Sequence, residues 1–433
     1  MLRVSPRPGA ESAPVRPGPF YGWFVVAATF AVTFIGFGSA YTFSTFVESL
    51  QRDFGTSRGS VSLVFSLAGF LYFGLGIVSG PLADRWGSRR LAVIGMLLIG
   101  AGLAAASAAE SLMQVYAAYG LGVGLGVGCS YVPAVGAVQR WFVRRRGLAS
   151  GLAVSGIGMG TLVMPPVASW LIAAMGWRDT YLVLGVLAAV LGGGLALLIE
   201  NDPADRGLAP DGDTASPRPG RVGSQYSRSP GHSVGAAVHS RRFAGLYAAC
   251  LIASFGLFVP FVHLVPYARD HGVPLPLAVL LLSVIGIGST GGRFFLGSLA
   301  DRVGREPSLL LMFLGMAAAL AVWAVSLWVT TAAAWILALF ALAFGVFYGG
   351  FVAVLPALVM DYFGGRNVSG IIGVLYTSVA FGTLIGPWAA GLAFDLSHSY
   401  ALPILASVGT NLIAAGIVYG LSRTTRPARL AEK

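Results

Sequence analysis

Long apolar stretches separated by short polar loops constrain this chain more than any other feature. Hydrophobic residues make up 56% of its 433 residues and charged residues only 10%, which excludes a soluble globular protein. Unbroken apolar runs also exclude a membrane β-barrel, whose strands alternate polar and apolar residues. Each stretch is long enough to cross a bilayer as a helix of about 20 residues. Twelve are present, near 20–47, 58–82, 90–109, 113–139, 147–175, 179–199, 242–268, 276–299, 308–329, 333–360, 368–394 and 401–421. We therefore predict an all-α membrane protein with twelve transmembrane helices.

Basic residues give the chain a formal net charge of +11, and they lie mostly in every second loop. The termini and these alternate loops hold 23 of the 28 basic residues, whereas the opposite loops hold only Arg52, Arg58, Arg178 and Arg269. Because positive charge is retained on the cytoplasmic side, we expect both termini to be cytoplasmic. The charge is thus interpreted as an orientation signal, and no nucleic-acid partner is predicted. Arginine supplies 27 of the 28 basic residues, which we interpret as a sign of a bacterial genome and of a cytoplasmic (inner) membrane location.

A polar segment divides the chain into two parts. Residues 201–240 are rich in Pro, Gly and Ser and predict a flexible cytoplasmic linker. We expect a cytoplasmic N-terminal tail at 1–19, a six-helix half at 20–200, a second six-helix half at 241–422 and a cytoplasmic C-terminal tail at 423–433.

The two halves carry an internal repeat. The stretch from Gly80 to Gly87 matches the stretch from Gly297 to Gly304 at six of eight positions, 217 residues further on. A second pair of matching stretches, 160–165 and 382–387, lies in segments 5 and 11. Two repeated halves of the same orientation are one arrangement of secondary transporters, in which the substrate binds near the membrane midplane between the halves.

The repeated loop resembles the signature loop of the major facilitator superfamily. In the first half this loop consists of Gly80, Asp84, Arg85, Gly87, Arg89 and Arg90, and in the second half of Gly297, Asp301, Arg302 and Gly304. The resemblance implies a fold of two pseudo-symmetric six-helix halves. It also implies that the Asp and Arg residues of the loops brace the halves in the outward-facing state.

Further local stretches resemble the monocarboxylate transporter and oxalate/formate antiporter branch of this superfamily. They are Tyr21-Gly22-Trp23, the stretch 141–151 that begins segment 5, Gly292-Arg293-Phe294 in segment 8, and the stretch 263–270, which resembles the bacterial members. This resemblance favours organic anions over sugars or drugs as the substrate.

Arg293 is the strongest candidate for substrate binding. It lies about seven residues from the predicted end of segment 8, or roughly 10 Å inside a core about 30 Å thick. A charge at this depth is costly and usually faces a cavity or a partner. A guanidinium group can hold a carboxylate through two hydrogen bonds, and the carboxylate-binding arginine of the resembled family falls at this position. No acidic residue lies plainly at mid-membrane, so the substrate anion is the simplest counter-ion.

Other residues at similar depth are predicted to complete the site. Phenolic hydroxyl groups can hydrogen-bond a carboxylate, and aromatic rings can shape an apolar pocket. Ser289 stands where the resembled animal carriers have an Asp, and segment 1 contains no lysine, so the animal type of proton coupling is not expected. The predicted binding residues are Tyr131, Ser289, Phe344, Tyr348 and Tyr376.

His263, near the outer end of segment 7, is predicted to take part in proton coupling or outer gating, because its ordinary pKa lies near 6.5. Glycine runs in segments 4 and 5 lack the strand and turn context of a nucleotide-binding loop. Close helix packing explains them better.

These observations predict a transporter of small monocarboxylates such as lactate or pyruvate, coupled to protons and working by alternating access as a monomer. Two alternatives remain open: an organic anion exchanger of the oxalate/formate type, and an anion sensor that does not transport. No catalytic constellation, cofactor or metal site is predicted, so the chain is not expected to be an enzyme.

Overall fold

A computed structural model describes residues 20–212, 232–329, 332–364 and 367–425, and these residues are almost entirely helical. We number the spanning helices α1 to α12 in chain order. They are Gly22–Tyr41 (α1), Arg58–Gly74 with Gly76–Trp86 (α2), Ser88–Ser107 (α3), Gly122–Trp141 (α4), 146–175 (α5), 177–196 (α6), Arg241–Leu257 with Val259–Asp270 (α7), Leu275–Val303 (α8), Arg305–Val325 (α9), Ala333–Phe363 (α10), Val368–Ser397 (α11) and Ala401–Thr425 (α12).

The two ends of this helix bundle need separate names. We call the end that holds Trp86, Trp141 and Phe363 the linker end, because the segment joining the halves begins and finishes there. The opposite end, which holds Arg58 and Asp270, is called the distal end.

A reversal at Gly176 separates α5 from α6. Gly176 has a φ of 86°, in the left-handed region that only glycine adopts readily. Arg178, just after it, contacts Asp53 at the distal end, whereas the carbonyl of Glu200 accepts a hydrogen bond from Trp141 at the linker end. Within the described residues, ten helices are long and apolar enough to cross a membrane, or eleven with the bent pair of α2. The 50-residue stretch Gly147–Ala196 counts as one of these helices, but the reversal at Gly176 divides it into two spans, α5 and α6. The described residues therefore contain twelve spans. The predicted helical fold is confirmed.

Glycines at equivalent positions make the same turn in both halves. Gly87, between α2 and α3, has a φ of 89°, and Gly304, between α8 and α9, has a φ of 102°. Any other residue would strain the backbone at these positions. The sequence repeat therefore corresponds to a repeated turn.

The halves meet along two helix pairs, α2 with α11 and α5 with α8. Glycine allows the close approach, because a Cβ added to Gly286 in α8 would lie 2.5 Å from the backbone nitrogen of Leu162 in α5. Within the first half, a Cβ on Gly160 would lie 3.0 Å from the Cα of Gly38. The predicted role of the glycine runs in helix packing is confirmed.

Residues 201–212 of the predicted linker are held against the first half. The guanidinium of Arg206 lies 3.5 Å from the ring centroid of Tyr21. Asp211 accepts hydrogen bonds from the backbone N–H groups of Val143 and Arg144, at 3.0 and 2.9 Å. Burial raises the pKa of Asp211, but these N–H groups, the N–H of Arg145 and the charge of Arg144 together lower it by more, so that the pKa lies below the ordinary value of 3.8. Residues 213–231, the tail 1–19 and the residues after 425 lie outside the described part of the chain.

Candidate functional site: a central cavity beside Arg293

A central cavity lies between the two halves. It contains about 440 Å³ of space not filled by atoms, part of it open to solvent. None of the described residues that line it carries a charge. The lining consists of four tyrosines, Tyr41, Tyr131, Tyr348 and Tyr376, and nine apolar residues, Phe37, Phe73, Ile157, Leu257, Phe258, Phe351, Val352, Leu355 and Val379. From Tyr41 and Tyr348 the lining continues towards the linker end, through Phe37 on α1 and Leu355 on α10.

Arg293 of α8 is buried, with 7% of its surface exposed. Its Nη1 donates a long hydrogen bond of 3.5 Å to the carbonyl of Ser289, whereas Nε and Nη2 have no hydrogen-bond partner among the described residues. The Nε–H and one Nη2–H point in the same direction from one edge of the guanidinium. This edge is the fork that binds both oxygens of a carboxylate.

The four tyrosines of the cavity lie close enough to Arg293 to interact with it electrostatically. Three of them, Tyr131, Tyr348 and Tyr376, are predicted binding residues, and the structure brings them to the same cavity. The hydroxyl groups of Tyr41 and Tyr348 lie 3.0 Å apart and connect α1 to α10 across the halves.

The remaining three predicted binding residues, Arg293, Ser289 and Phe344, are not among the residues that line the cavity. Phe344 stacks on Tyr348, with ring centroids 6.1 Å apart, and so supports that residue from behind. Ser289 is buried, and its Oγ has no hydrogen-bond partner among the described residues.

Gly158 of α5 leaves room for Arg293. A Cβ at this position would lie 3.0 Å from Nη1 of Arg293 and would overlap with Oγ1 of Thr290. The position of the guanidinium therefore depends on a glycine in the opposite half.

A cluster of charged groups joins the halves at the distal end. Arg58, at the start of α2, forms an ion pair with Asp270 of α7, with hydrogen bonds of 2.5 and 2.8 Å. Asp395 of α11 accepts hydrogen bonds from the backbone N–H groups of Arg58 and Gly59, at 3.0 and 2.8 Å. The first N–H groups of a helix have no partner within the helix and favour an anion. Asp395 thus caps α2 from the other half, and we call these four residues the distal clamp.

His263 of α7 is buried beside the distal clamp. Its Nε2 lies 2.8 Å from the carbonyl oxygen of Pro387, which only accepts, and its Nδ1 lies 3.0 Å from the hydroxyl of Tyr400. That hydroxyl accepts a hydrogen bond from Arg58 at 3.1 Å, and it has one proton of its own that it can donate to Nδ1. These hydrogen-bond directions fit a neutral imidazole. Nε2 also lies 3.3 Å from Oγ of Ser62 on α2, so His263 contacts the opposite half.

The signature loops lie at the linker end, and the ion pairs that the described part of the chain shows for them stay within one half. Arg89 pairs with Glu200 at 2.9 Å in the first half. In the second half, Arg305 pairs with Asp301 at 3.5 Å and with Asp361. Arg85, Arg90 and Arg302 are exposed. The side chain of Asp84 lies outside what the structure describes.

Sequence reasoning did not single out Tyr41 or the distal clamp. Tyr41 lies near the end of α1, where an aromatic residue is ordinary in a membrane helix. The clamp had a weak signal, since Arg58, Asp270 and Asp395 all lie next to predicted distal loops. Among the described residues, no three His, Cys, Asp or Glu side chains are grouped to hold a metal ion.

Comparison with known proteins gives the family. The sequence profile described as "Major Facilitator Superfamily" matches residues 29–346, which is most of the chain. The chain belongs to the major facilitator superfamily.

Two relatives have similar lengths. Human monocarboxylate transporter 11 is 30% identical, over 97% of this chain and 88% of that protein. Rat monocarboxylate transporter 3 is 30% identical, over 95% of this chain and 81% of that protein. The predicted resemblance to this branch of the superfamily is confirmed. Both relatives are named as transporters, in agreement with the prediction that the chain is not an enzyme.

Solved structures show the same fold. A bacterial homologue of the human lysosomal transporter Spinster, in an inward-facing and unoccupied conformation, has a TM-score of 0.70 at 17% identity and covers 94% of this chain and 98% of its own. The xylose transporter XylE from E. coli, in a partially occluded inward-open conformation, has a TM-score of 0.71 at 15% identity. The match covers 92% of this chain and 97% of that chain. At these identities the likeness concerns the fold alone.

Proposed function

We propose that the protein is a secondary transporter of small monocarboxylates, such as lactate and pyruvate, and that it binds the carboxylate at Arg293. The observation that carries the proposal is the buried guanidinium edge, Nε and Nη2, which has no hydrogen-bond partner among the described residues. Burial of an unpaired cation is costly, and a carboxylate supplies both the opposite charge and two acceptors of matching geometry. The names of the relatives support the same substrate class.

The transport cycle that we propose is alternating access. The distal clamp holds the distal end closed, whereas the cavity extends from Tyr41 and Tyr348 towards the linker end. The distribution of basic residues supports a cytoplasmic linker end with cytoplasmic termini. The predominance of arginine, 27 of the 28 basic residues, is the reason for proposing a bacterial cytoplasmic membrane. On this orientation the structure corresponds to the inward-facing state. The signature loops brace the opposite state, which agrees with ion pairs that stay within each half here.

Substrate binding favours the change between these states because it alters the charge of the site. An empty site carries the positive charge of Arg293 in an uncharged lining, and a bound monocarboxylate neutralises it. A ligand shifts a conformational equilibrium only through a difference in its interaction with the two states. Here that difference arises when the two halves close around the neutral pair.

Proton coupling is proposed to act through His263. In the distal-closed state both ring nitrogens are engaged by Tyr400 and Pro387, in directions that fit a neutral ring. Opening of the distal end separates His263 from Ser62 on the other half and admits water. We propose that a proton bound in the open state leaves His263 towards the linker end when the distal end closes, which links proton movement across the membrane to the cycle.

Anion exchange is the second candidate, and one observation favours it. The described lining contains no carboxylate that could neutralise Arg293 when the substrate leaves. Return of the empty carrier then moves an unpaired buried charge, whereas return with a second anion does not. Exchange therefore avoids the costly step of the cycle.

Uptake by proteoliposomes tests the proposal. We would measure entry of labelled L-lactate and pyruvate with and without an inward proton gradient, for the wild type, Arg293→Gln and the control Arg241→Gln. Arg241 is an exposed arginine at the start of α7, so its replacement removes the same charge away from the cavity.

We expect wild-type protein and Arg241→Gln to take up both anions, and Arg293→Gln to show none. Stimulation by the gradient with empty vesicles supports proton coupling. Uptake only into vesicles preloaded with an anion supports exchange. Unchanged uptake by Arg293→Gln contradicts the binding site.

A further inference from the structure

We infer that a chain of buried hydroxyl groups on α2 carries protons from His263 to the central cavity. This inference rests on the proposed proton coupling and specifies the route along which the proton leaves His263. The route runs from Ser62 through Ser66 to Tyr72, and from there to the tyrosine hydroxyls of the cavity. These three residues of α2 are buried and lie outside the described lining of the cavity.

The first step of the route is the contact between His263 and Ser62. Nε2 of the imidazole lies 3.3 Å from Oγ of Ser62, which donates its own proton to the carbonyl of Arg58. The Ser62 oxygen can therefore accept a proton from a protonated imidazole. Arg58 and Asp395, the charged groups that act on His263, belong to the distal clamp, which closes this site towards the distal side. The proton then leaves along α2.

Ser66, one turn further along α2, has a buried hydroxyl group without a protein partner. Its side chain is completely buried, and Oγ forms no hydrogen bond with any described residue. Other buried hydroxyl groups in these helices, such as those of Thr161 and Thr383, bond to the carbonyl four residues earlier. Buried polar atoms without a protein partner are bonded to ordered water. Ser62 and Ser66 lie about 6 Å apart on one helix face, a distance that one water molecule bridges.

The internal repeat supports a special role for Ser66. Ser283 of α8 lies 217 residues after Ser66 and occupies the equivalent position in the second half. Its Oγ donates a hydrogen bond of 2.7 Å to the carbonyl of Leu162 in α5, across the contact between the halves. Ser66 forms no such bond to the described part of α11. A direct hydrogen bond thus occupies this polar position in one interface, whereas the other interface leaves it to water.

Tyr72 connects Ser66 with the hydroxyl groups of the cavity. Its side chain turns back along α2, since a Cβ added to Gly69 would lie 3.5 Å from the Tyr72 hydroxyl oxygen. Gly69 is about one turn after Ser66, so a single water molecule spans the remaining distance. The Tyr72 hydroxyl has no hydrogen-bond partner among the described residues and lies close enough to Tyr41 to interact with it electrostatically. The hydroxyl of Tyr41 in turn lies 3.0 Å from that of Tyr348 in the cavity.

Proton transfer along this chain balances at every step. Each hydroxyl group or water molecule accepts a proton at its oxygen and releases its own proton to the next oxygen. The imidazolium of His263 becomes neutral, and one proton appears in the cavity, where the carboxylate at Arg293 or a water molecule accepts it. The hydroxyl groups then rotate back to their starting orientations. The neutral imidazole of this structure corresponds to the state after transfer.

Two measurements in proteoliposomes separate proton movement from anion movement. Proton entry is followed with a pH-sensitive dye inside the vesicles after external pyruvate is added. Exchange is followed as entry of labelled pyruvate into vesicles preloaded with unlabelled pyruvate. Exchange does not require release of the proton, because the loaded carrier returns with its proton still bound. We would compare the wild type with Ser66→Ala, Tyr72→Phe and the control Ser283→Ala.

We expect Ser66→Ala and Tyr72→Phe to slow proton entry at least ~10-fold, as loss of a positioned proton-transfer group does, and to leave exchange unchanged. Retained exchange shows that the variants fold and bind pyruvate. Ser283→Ala removes the same kind of hydroxyl group from a direct hydrogen bond. The control should therefore keep the wild-type ratio of proton entry to exchange.

The remaining outcomes contradict the route. A wild-type ratio of proton entry to exchange in either Ser66→Ala or Tyr72→Phe overturns this inference and leaves the proposed function intact. An equal fall of this ratio in Ser283→Ala also overturns it, because any buried serine would then have the effect. A wild type in which pyruvate brings no protons into the vesicles overturns the proposed proton coupling and this inference together.

Discussion

Replacement of Asp395 by Asn is expected to release the distal clamp. Asp395 is the one acceptor of the clamp that binds backbone N–H groups, at 3.0 Å for Arg58 and 2.8 Å for Gly59. Because these groups belong to the first turn of α2, the bonds hold one half of the molecule directly against the other. An Asn at this position keeps one acceptor oxygen, but it loses the negative charge and the second acceptor.

The size of the effect follows from these two hydrogen bonds. A hydrogen bond to a charged group contributes about 1.5–3 kcal/mol, and the partial exposure of Asp395 places each bond near the lower limit. Loss of one bond and weakening of the other cost about 2 kcal/mol, which shifts the balance from distal-closed to distal-open by roughly 30-fold.

Cysteine labelling measures this shift. Ser62 is fully buried between the halves, so a cysteine at this position is reached from the distal side only when that end opens. With Cys129 and Cys250 replaced, the rate at which a membrane-impermeant maleimide labels Ser62→Cys is proportional to the open population. We expect Asp395→Asn to raise this rate by roughly 30-fold.

Asp361→Asn is the matched control. Asp361 pairs with Arg305, and both residues belong to the second half, so the same substitution does not change how the halves meet. Equal labelling rates for the wild type and Asp395→Asn would refute the role of the clamp. An equal rise in the labelling rate of Asp361→Asn would show that the loss of any carboxylate opens the distal end.

Three further substitutions test other parts of the structure. Gly158→Ala places a methyl group against Arg293 and should raise the half-saturation concentration for monocarboxylate uptake about 10-fold. Gly136→Ala is the control, because the added Cβ meets open space there, and it should leave this concentration unchanged. Tyr348→Phe removes a hydroxyl from the cavity and should raise the half-saturation concentration by roughly 2- to 10-fold, as measured by uptake. Asp211→Asn should lower the free energy of unfolding by about 1 kcal/mol at pH 7. The pKa of Asp211 lies below 3.8, so its contribution to stability is present above pH 3.8 and is lost only as the pH falls through the lowered pKa. Melting in detergent should therefore show the same difference in stability between wild type and Asp211→Asn at pH 5 as at pH 7. A difference that disappears by pH 5 would contradict the lowered pKa.

Much of the fold follows from local properties of the chain. A helix that crosses a bilayer satisfies its backbone hydrogen bonds within itself, so the length and apolarity of a segment suffice to predict it. Gly87 and Gly304 occupy equivalent positions of the sequence repeat, and both have positive φ values. The reversal between α5 and α6 is also indicated by the sequence, because residues 176–178, with the charged Arg178, separate the apolar stretches 147–175 and 179–199, but the left-handed φ of Gly176 is visible only in the structure.

Arg293 could be predicted because a charge deep in an apolar helix is unusual. Tyr131, Tyr348 and Tyr376 were expected from their depth along their helices, and all three line the cavity. Phe344 was expected on the same basis but packs behind Tyr348, since depth does not specify which way a side chain points.

The amino-acid sequence by itself determined the twelve helices, their repeat and the depth of the cation Arg293 in segment 8, because each of these depends on the composition of a single segment or on direct comparison of two. Only the tertiary structure decided which edge of Arg293 is free, that Tyr41 joins the cavity, and that Asp395 caps a helix of the other half. These features depend on contacts between residues hundreds of positions apart, such as the 337 that separate Arg58 from Asp395. Such contacts exist only once the two halves have packed together.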